Sequence, residues 1–220
     1  MPTIAENIAR VKQQLPPHVA LVAVSKTHSA EAIMAAYFAG QRDFGENRPQ
    51  ELLQKATALP QDIRWHFIGH LQSNKVKMVA SCSHLIHAVD SVKLLREVNK
   101  ICGKSGLTAR CLLQVHVAQE ETKFGFLPGE LLEYLRSGDA GALRSVQICG
   151  LMAMASNTGD MEQVRREFQL IRQLHGQSRE LVPQPGLFTQ ISMGMSGDYP
   201  IAIEEGATMV RIGALIFGER

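Results

Sequence analysis

Apolar and polar positions follow two rhythms that alternate along this chain. Short runs of β-branched and other apolar residues, such as Val19–Val24 and Leu85–Val89, predict buried strands. Between them, apolar residues recur at helical spacing, as in Pro49–Ala58, and residues suited to helix caps, such as Ser29 and Asp160, precede some of these segments. The pattern predicts strands at 19–24, 42–44, 64–68, 85–89, 110–117, 145–151, 188–192 and 208–212.

Eight strands that alternate with helices imply parallel pairing through right-handed crossovers. Eight is also the number that closes a (β/α)8 TIM barrel, and a chain of 220 residues is near the lower end of that fold's usual range. A doubly wound open sheet is the alternative. It usually has a glycine-rich turn after its first strand, whereas the turn here is Lys26–Ser29. The sequence therefore predicts an α/β fold, with residues 1–220 forming a single TIM-barrel domain.

An additional helix is predicted before the first strand. Thr3 and Glu6 form a capping-box pattern, and apolar residues follow at helical spacing between Ile4 and Leu15. Few residues follow the eighth strand. We therefore expect the N-terminal helix to cover that side of the barrel.

Composition excludes several classes of protein. The chain is 45% hydrophobic and 20% charged, its formal net charge is +2, and it has no run of like charges that would favour nucleic acid. No apolar stretch is long enough for a membrane span, and the first residues do not resemble a signal peptide. The four cysteines are widely spaced, as is typical of reduced thiols. We expect a cytoplasmic protein with no nucleic-acid or membrane partner.

A lysine and two glycine-containing loops occupy the positions where a TIM barrel builds its site. Lys26 directly follows the first strand, although a solvated lysine that merely flanks the strand is the alternative. Met193–Asp198 follows the seventh strand and Arg211–Ala214 ends the eighth, where barrels often bind phosphate with backbone N–H groups at a helix start. A lysine beside an anion pocket suits a phosphorylated aldehyde held as a Schiff base. Pyridoxal 5′-phosphate is the obvious candidate.

Several longer motifs carry a family resemblance, and they are Ala23–Thr27, Phe44–Asn47, Trp65–Lys75, Ser192–Asp198, Met209–Gly213 and Ile216–Gly218. Together they resemble the YggS/PROSC family of pyridoxal phosphate homeostasis proteins, which are similar to the barrel domain of alanine racemase. The matches extend from about residue 20 to the end of the sequence. The resemblance implies a fold-type III pyridoxal phosphate-binding barrel.

The resemblance also implies a set of cofactor-binding residues, namely Lys26, Asn47, Ser196, Gly197, Arg211, Gly213 and Ala214. Lys26 would form the Schiff base, Arg211 would face the pyridine nitrogen, and Asn47 would lie near the hydroxyl side of the ring. The serine, the two glycines and the alanine would bind the phosphate. His70 and Lys123 are expected at the rim.

Other residues depart from the family pattern or suggest different chemistry. Arg48-Pro49, His116 and Met154-Ala155 differ from the usual residues, but none coincides with a predicted cofactor-binding position. His66 and His70 have the spacing of two metal ligands on a helix, yet His66 is predicted in a strand and His70 beyond it, so no metal site is predicted. A further pair, His84 and His87, is expected on opposite faces of one strand, as structural or surface residues.

Arginine beside the pyridine nitrogen limits the chemistry. A guanidinium only donates hydrogen bonds, so the nitrogen remains unprotonated and the ring withdraws electrons weakly. The leading hypothesis is a carrier that buffers pyridoxal 5′-phosphate, contributes to vitamin B6 and amino-acid homeostasis, and supplies pyridoxal phosphate-dependent apoenzymes. No catalytic residue is assigned. A second, tyrosine-bearing domain of the racemase type is not found in the sequence, and this favours a monomer.

Two other functions share these residues. A weak pyridoxal phosphate-dependent amino-acid racemase would need a second acid or base, and Tyr199 is the nearest tyrosine to the expected site. A cofactor-free Schiff-base aldolase would use the same lysine and phosphate pocket but gives no reason for Arg211.

Overall fold

The computed structural model describes residues 2–120 and 124–218 and contains a closed eight-stranded barrel. Its strands are β1 (Ala20–Val24), β2 (Asp43–Glu46), β3 (Arg64–Phe67), β4 (Leu85–Val89), β5 (Ala109–Val115), β6 (Val146–Ala153), β7 (Gln190–Ser192) and β8 (Met209–Ile212). The helices are α1 (Ile4–Gln13), α2 (Ala30–Phe38), α3 (Pro49–Ala58), α4 (Val76–Ala80), α5 (Val92–Lys104), α6 (Pro128–Arg136), α7 (Met161–Arg179), α8 (Tyr199–Glu204) and α9 (Ala214–Phe217). Every strand is parallel to the next, and β8 pairs with β1. The predicted barrel is confirmed.

The N-terminal helix begins where its cap predicts and covers the barrel as expected. The Thr3 hydroxyl accepts from the Glu6 N–H, and the Glu6 carboxylate accepts in return from the Thr3 N–H. The apolar face of α1, including Ile8 and Val11, packs against α2 and α9. Asn7 Nδ2 also donates to the carbonyl of Ile216 at 3.0 Å, which ties α1 to the end of the described chain.

The larger part of the core lies between the barrel and its helices. Phe44, Phe67, Phe168 and Phe188 are fully buried in this layer. Each such side chain contributes about 1.5–3 kcal/mol relative to an exposed one. A second, smaller cluster that includes Val22, Leu112 and Met152 fills the interior of the barrel. Within the described residues, no helix combines the length and the apolar character that a membrane crossing requires.

Strand β2 is longer than its sequence suggests, and the difference matters for the site. The prediction ended it at Phe44, because Gly45 and Glu46 have low strand propensity. In the structure Gly45 and Glu46 pair with β3, and Glu46 is fully buried. A buried carboxylate is tolerated in a strand only when a partner satisfies it, and Lys55 of α3 supplies that partner.

Candidate functional site

A cavity of about 540 Å³ opens at the carboxyl ends of the strands. Such a volume is within the range of pockets that hold a small cofactor. The residues predicted to bind a cofactor all contribute to its wall, and they are Lys26, Asn47, Ser196, Gly197, Arg211, Gly213 and Ala214. The closed barrel explains this convergence, because β1 and β8 are neighbours although about 190 residues separate them in sequence.

The loop that carries Lys26 is fixed on both sides of the lysine. Before it, the Ser25 carbonyl accepts from Lys55 Nζ at 2.8 Å. After it, the Thr27 N–H donates to Glu51 Oε1 at 2.6 Å. Thr27 has a φ of 67°, which is unusual for a β-branched residue and costs about 1–3 kcal/mol. Contacts from α3 thus hold the backbone around Lys26 in a conformation that it would not adopt alone.

Two carboxylates share Lys55 beneath this loop. Lys55 Nζ donates to Glu46 Oε1 at 2.8 Å and to Glu51 Oε1 at 2.6 Å, and the Ser25 hydroxyl also donates to Glu46. Burial raises the pKa of Glu46 in spite of these hydrogen bonds. Burial acts in the same direction on Glu51, but there the hydrogen bonds from Lys55 and the Thr27 N–H outweigh it, and the pKa is lowered.

Arg211 of β8 lies inside the barrel and is only 4% exposed. Its Nη1 donates to the carbonyl and the hydroxyl of Ser192 at 2.8 and 2.6 Å, and its Nη2 donates to the Ala153 carbonyl at 2.9 Å. These bonds use three of the five N–H groups of a guanidinium. Burial lowers the pKa of Arg211 to about 10, so the group remains a cation at neutral pH. The remaining N–H groups are available to a ligand in the cavity.

Residues of two loops, one after β7 and one after β8, also line the cavity. Within the described part of the chain, the N–H groups of Ser196, Gly197, Gly213 and Ala214 donate to no protein acceptor. Helices α8 and α9, which follow these loops, have only six and four residues. The dipoles of such short helices are small, so individual N–H groups at the helix starts would have to bind an anion.

Two glycines allow the loops to approach each other. Gly194 has a φ of +91°, and a Cβ there would lie 2.6 Å from the Cβ of Ala202. A Cβ on Gly69 would lie 2.2 Å from the carbonyl oxygen of Asn47. Asn47 Oδ1 is buried and has no hydrogen-bond partner among the residues that the structure describes. An orphaned amide oxygen at the wall of a cavity is suited to a ligand that offers a hydroxyl.

His28 and Met154 also line the cavity, and the sequence analysis assigned a role to neither. The His28 ring stacks on Phe217 of α9, with centroids 4.5 Å apart. Its position two residues after Lys26, at the end of β1, is the signal that could have identified it. Met154 is one of the departures from the family pattern, and it contributes directly to the cavity wall.

Three other residues named in the sequence analysis do not line the described cavity. The Tyr199 hydroxyl donates to Gln14 beside α1, and Tyr199 is not among the cavity residues. Tyr199 follows the loop that lines the cavity, but its hydroxyl is engaged with Gln14, so its role as a second acid or base stays a hypothesis. His70 stacks on Phe124 and bonds Asp90 at 3.1 Å, outside the cavity. Lys123 lies outside the described residues.

The histidine predictions have mixed outcomes. His66 bonds Asp43 and His70 bonds Asp90, so these two histidines are not brought together, as predicted. His84 and His87 do not point to opposite sides. Both rings lie beside His66, because β4 begins only at Leu85 and its register is irregular between Ile86 and Val89. Within residues 2–120 and 124–218, no group of three or more His, Cys, Asp or Glu residues is arranged to hold a metal ion.

Comparison with known proteins identifies the family. The sequence model of the protein family described as alanine racemase, N-terminal domain, matches residues 1–220. The chain belongs to this family. Its relatives include the pyridoxal phosphate homeostasis protein of Synechocystis, 41% identical over 211 residues, which are 94% of this chain and 94% of that protein. The human pyridoxal phosphate homeostasis protein is 38% identical over 228 residues, or 99% of this chain and 82% of its own length.

Solved structures agree with this assignment. PipY of Synechococcus elongatus, determined with pyridoxal phosphate bound, has a TM-score of 0.88 and 40% sequence identity, and the match covers 98% of this chain and all of that one. Alanine racemase of Bartonella henselae has a TM-score of 0.75 at 18% identity and shares the fold. That match covers 99% of this chain and 60% of the racemase. The family predicted from the motifs is confirmed.

Proposed function

We propose that this protein binds pyridoxal 5′-phosphate in the cavity, covalently through Lys26, and acts as a carrier that buffers the cofactor for other proteins. The observation that carries the proposal is the convergence of three features on one cavity. They are a lysine on a fixed loop, a buried guanidinium with further N–H groups, and a group of backbone N–H donors that have no acceptor in residues 2–120 and 124–218. The names of the relatives and the pyridoxal phosphate-bound PipY support the same ligand.

The wall residues fit the parts of this cofactor. Ser196, Gly197, Gly213 and Ala214 would hold the phosphate, because their N–H groups have no other acceptor among the described residues. Asn47 would face the ring hydroxyl through its orphaned Oδ1. When bound, the cofactor supplies an aldehyde that condenses with an amine and releases water. Lys26 provides the amine, on a loop whose neighbouring residues are fixed before binding.

Arg211 makes a carrier more plausible than an efficient enzyme. It remains a cation at neutral pH and can only donate a hydrogen bond to the ring nitrogen, so that nitrogen keeps its lone pair. A carboxylate at this position would instead favour a protonated ring. The hydrogen bond from the Tyr199 hydroxyl to Gln14 also argues against Tyr199 as a second acid or base.

Amino-acid racemisation remains the second candidate, and one observation favours it. His28 lines the same cavity as Lys26, and a histidine can act as an acid or base near neutral pH. In this case His28→Gln would abolish turnover of an L-amino acid to its D form while the cofactor stayed bound. The carrier proposal instead expects no sustained turnover by the wild type or by His28→Gln.

We further propose that residues 1–220 form one functional domain, that it acts as a monomer in the cytoplasm, and that pyridoxal phosphate-dependent apoenzymes receive the cofactor. The site residues named above all come from one chain, which is compatible with a monomer. Sedimentation of the purified protein tests the monomer, and a dimer at micromolar concentration would contradict it.

Transfer is tested by mixing the loaded protein with an apoenzyme across a range of protein concentrations. The carrier proposal expects the apoenzyme to regain activity, and the loaded protein to lose its visible absorption in proportion. Retention of the cofactor with no recovery of the apoenzyme would contradict the carrier proposal, although binding would stand.

A further inference from the structure

A continuous line of polar side chains crosses the interior of the barrel beneath the cavity. Arg211 Nη1 lies 2.6 Å from Ser192 Oγ, which lies 3.0 Å from His87 Nδ1 on the far side of the barrel. His87 Nε2 lies 2.9 Å from His66 Nδ1, and His66 Nε2 lies 3.0 Å from Asp43 Oδ1. The line thus joins the cavity to the opposite end of the barrel, where β2 and β3 begin.

These side chains are buried, so they depend on one another for their hydrogen bonds. His66, His87 and Ser192 are each at most 1% exposed. An interior of this kind is normally apolar, and a buried polar group is costly unless its hydrogen bonds are made. The three residues belong to none of the predicted cofactor contacts.

The two ends of the line, together with neutral histidines, give every hydrogen bond one direction. Asp43 is a carboxylate, because hydrogen bonds from His66 and Arg64 outweigh the effect of burial and hold its pKa well below the usual range. His66 Nε2 must therefore carry the hydrogen. If His66 is neutral, its Nδ1 accepts from the N–H of His87 Nε2, and His87 Nδ1 then accepts from the Ser192 hydroxyl. The hydroxyl oxygen is left to accept from Arg211.

The charged and titratable groups that face this line are consistent with neutral histidines. They are Arg64 and Lys12 beside Asp43, His84 with its partner Arg110 beside His66, and Asp198 near Arg211. Arg64 donates to both oxygens of Asp43 and balances its charge. Burial, together with the positive charge of Arg211, keeps the pKa of His87 well below its usual value.

The opposite direction is less favourable. A proton added to His66 Nδ1 would leave the bond to Asp43 in place but reverse the bond between the two histidines, and His87 Nδ1 would then donate to Ser192 Oγ. The hydroxyl oxygen would accept from His87 and Arg211 together. Its own hydrogen would have no acceptor among the described residues. A lost buried hydrogen bond of this kind is unfavourable.

We propose that His66, His87 and Ser192 are positioning residues that orient Arg211 toward the cavity, through one directed chain of hydrogen bonds ending at Asp43. Because the Ser192 hydroxyl donates its hydrogen bond to His87, the Ser192 oxygen is fixed as an acceptor for Arg211. The two guanidinium N–H groups that the hydroxyl and carbonyl of Ser192 and the carbonyl of Ala153 leave unused are then held in one direction. The link to the pyridine nitrogen rests on the proposed function, whereas the chain itself does not.

The chain is tested first without cofactor. Protein labelled with 15N-histidine is studied by long-range 1H–15N NMR at pH 7, and the signals are assigned with His66→Gln and His87→Gln. We expect both histidines to be neutral with hydrogen on Nε2, and we expect the control variant His84→Gln to leave these tautomers unchanged. Hydrogen on Nδ1 of His87, or a mixture of tautomers, would overturn the chain.

Positioning is then tested on protein loaded with pyridoxal 5′-phosphate. Ser192→Ala and His87→Phe should raise the Kd of the cofactor about two- to tenfold, the equivalent of one net hydrogen bond, and shift its visible absorption. His87→Gln retains a donor and an acceptor and should recover most of the affinity, and His84→Gln should match the wild type. Folded Ser192→Ala protein with unchanged Kd and spectrum would overturn the positioning role. If no variant and no wild type takes up cofactor, the proposed function fails, while the NMR result still decides the chain.

Discussion

Replacing Lys55 with methionine removes one charge from the buried cluster that fixes the Lys26 loop. The lysine side chain is 10% exposed and that of Glu46 is fully buried, so the substitution leaves a carboxylate in the interior without its cation. Methionine retains much of the length and volume of the lysine stem, so packing changes little. Glu46 Oε2 already lacks a partner among the described residues, which leaves Glu46 little means of compensation.

Two independent arguments give the size of the effect. Removal of one partner from a buried ion pair typically costs about 3–5 kcal/mol. The carboxylate can also escape by taking up a proton, and at pH 7 this costs about 4 kcal/mol for a glutamate with an ordinary unfolded pKa. We therefore expect Lys55→Met to lower the free energy of unfolding by about 3–4 kcal/mol at pH 7. Loss of the Ser25 and Glu51 contacts should also weaken capture of the cofactor by Lys26.

Urea unfolding followed by circular dichroism measures this change, with constant m-values as the check on two-state behaviour. Arg96→Met is the matched control, because Arg96 and Asp139 form an exposed pair with side chains 63% and 55% accessible. Such a pair contributes less than about 1 kcal/mol. The double variant Glu46→Gln/Lys55→Met should recover part of the loss. A cost for Lys55→Met no larger than that for Arg96→Met would refute the reasoning.

Three further predictions concern other parts of the site. Gly69→Ala should lower the free energy of unfolding by about 1–3 kcal/mol in a urea titration, because the new Cβ would collide with the Asn47 carbonyl. An unchanged urea midpoint would contradict this close packing. Thr27→Gly should leave the free energy of unfolding unchanged or raise it by up to about 1 kcal/mol, since glycine accepts a positive φ. The same substitution should weaken cofactor binding, because it loosens the Lys26 loop. Tighter binding would argue against a role of Thr27 in restraining that loop. Between pH 7.5 and pH 5.0, the free energy of unfolding of the wild type should fall by about 2 kcal/mol more than that of His87→Gln. The reason is that only the unfolded chain protonates His87 as the pH falls below about 6.5, because burial lowers the pKa of His87 in the folded protein. Parallel pH profiles of the two proteins would contradict a buried neutral His87.

The sequence predicts the elements whose ends are marked by local chemistry. Helix α3 begins at Pro49 and ends at Ala58 as predicted, because a proline at the first position and an amphipathic pattern define it. Strand β4 also has its predicted bounds, since a continuous apolar run surrounds His87. Strand β2 was predicted too short, because the stability of Glu46 in a strand depends on Lys55, a residue from the following helix.

The cavity residues are predictable from motifs, but the contacts that hold them are less so. The spacing of Glu51 and Lys55 on a predicted helix signals their ion pair. Nothing local indicates that this lysine also reaches Glu46 and Ser25. The interior line from Asp43 to Arg211 depends on distances across the barrel and on an irregular register in β4, so alternation along one strand misplaced His84 and His87. The hydrogen bond of Tyr199 could not be predicted for the same reason, because its partner Gln14 comes from the other end of the chain.

Covalent capture of the cofactor by Lys26 tests the central proposal most directly. Wild type and Lys26→Ala are incubated with pyridoxal 5′-phosphate, reduced with borohydride, digested and mapped by mass spectrometry, beside visible spectra recorded before reduction. We predict a yellow wild type whose reduced pyridoxyl group maps to Lys26, and a colourless Lys26→Ala protein without that modification. A wild type that remains unmodified, or that is modified equally at other lysines, would contradict the proposed role of Lys26.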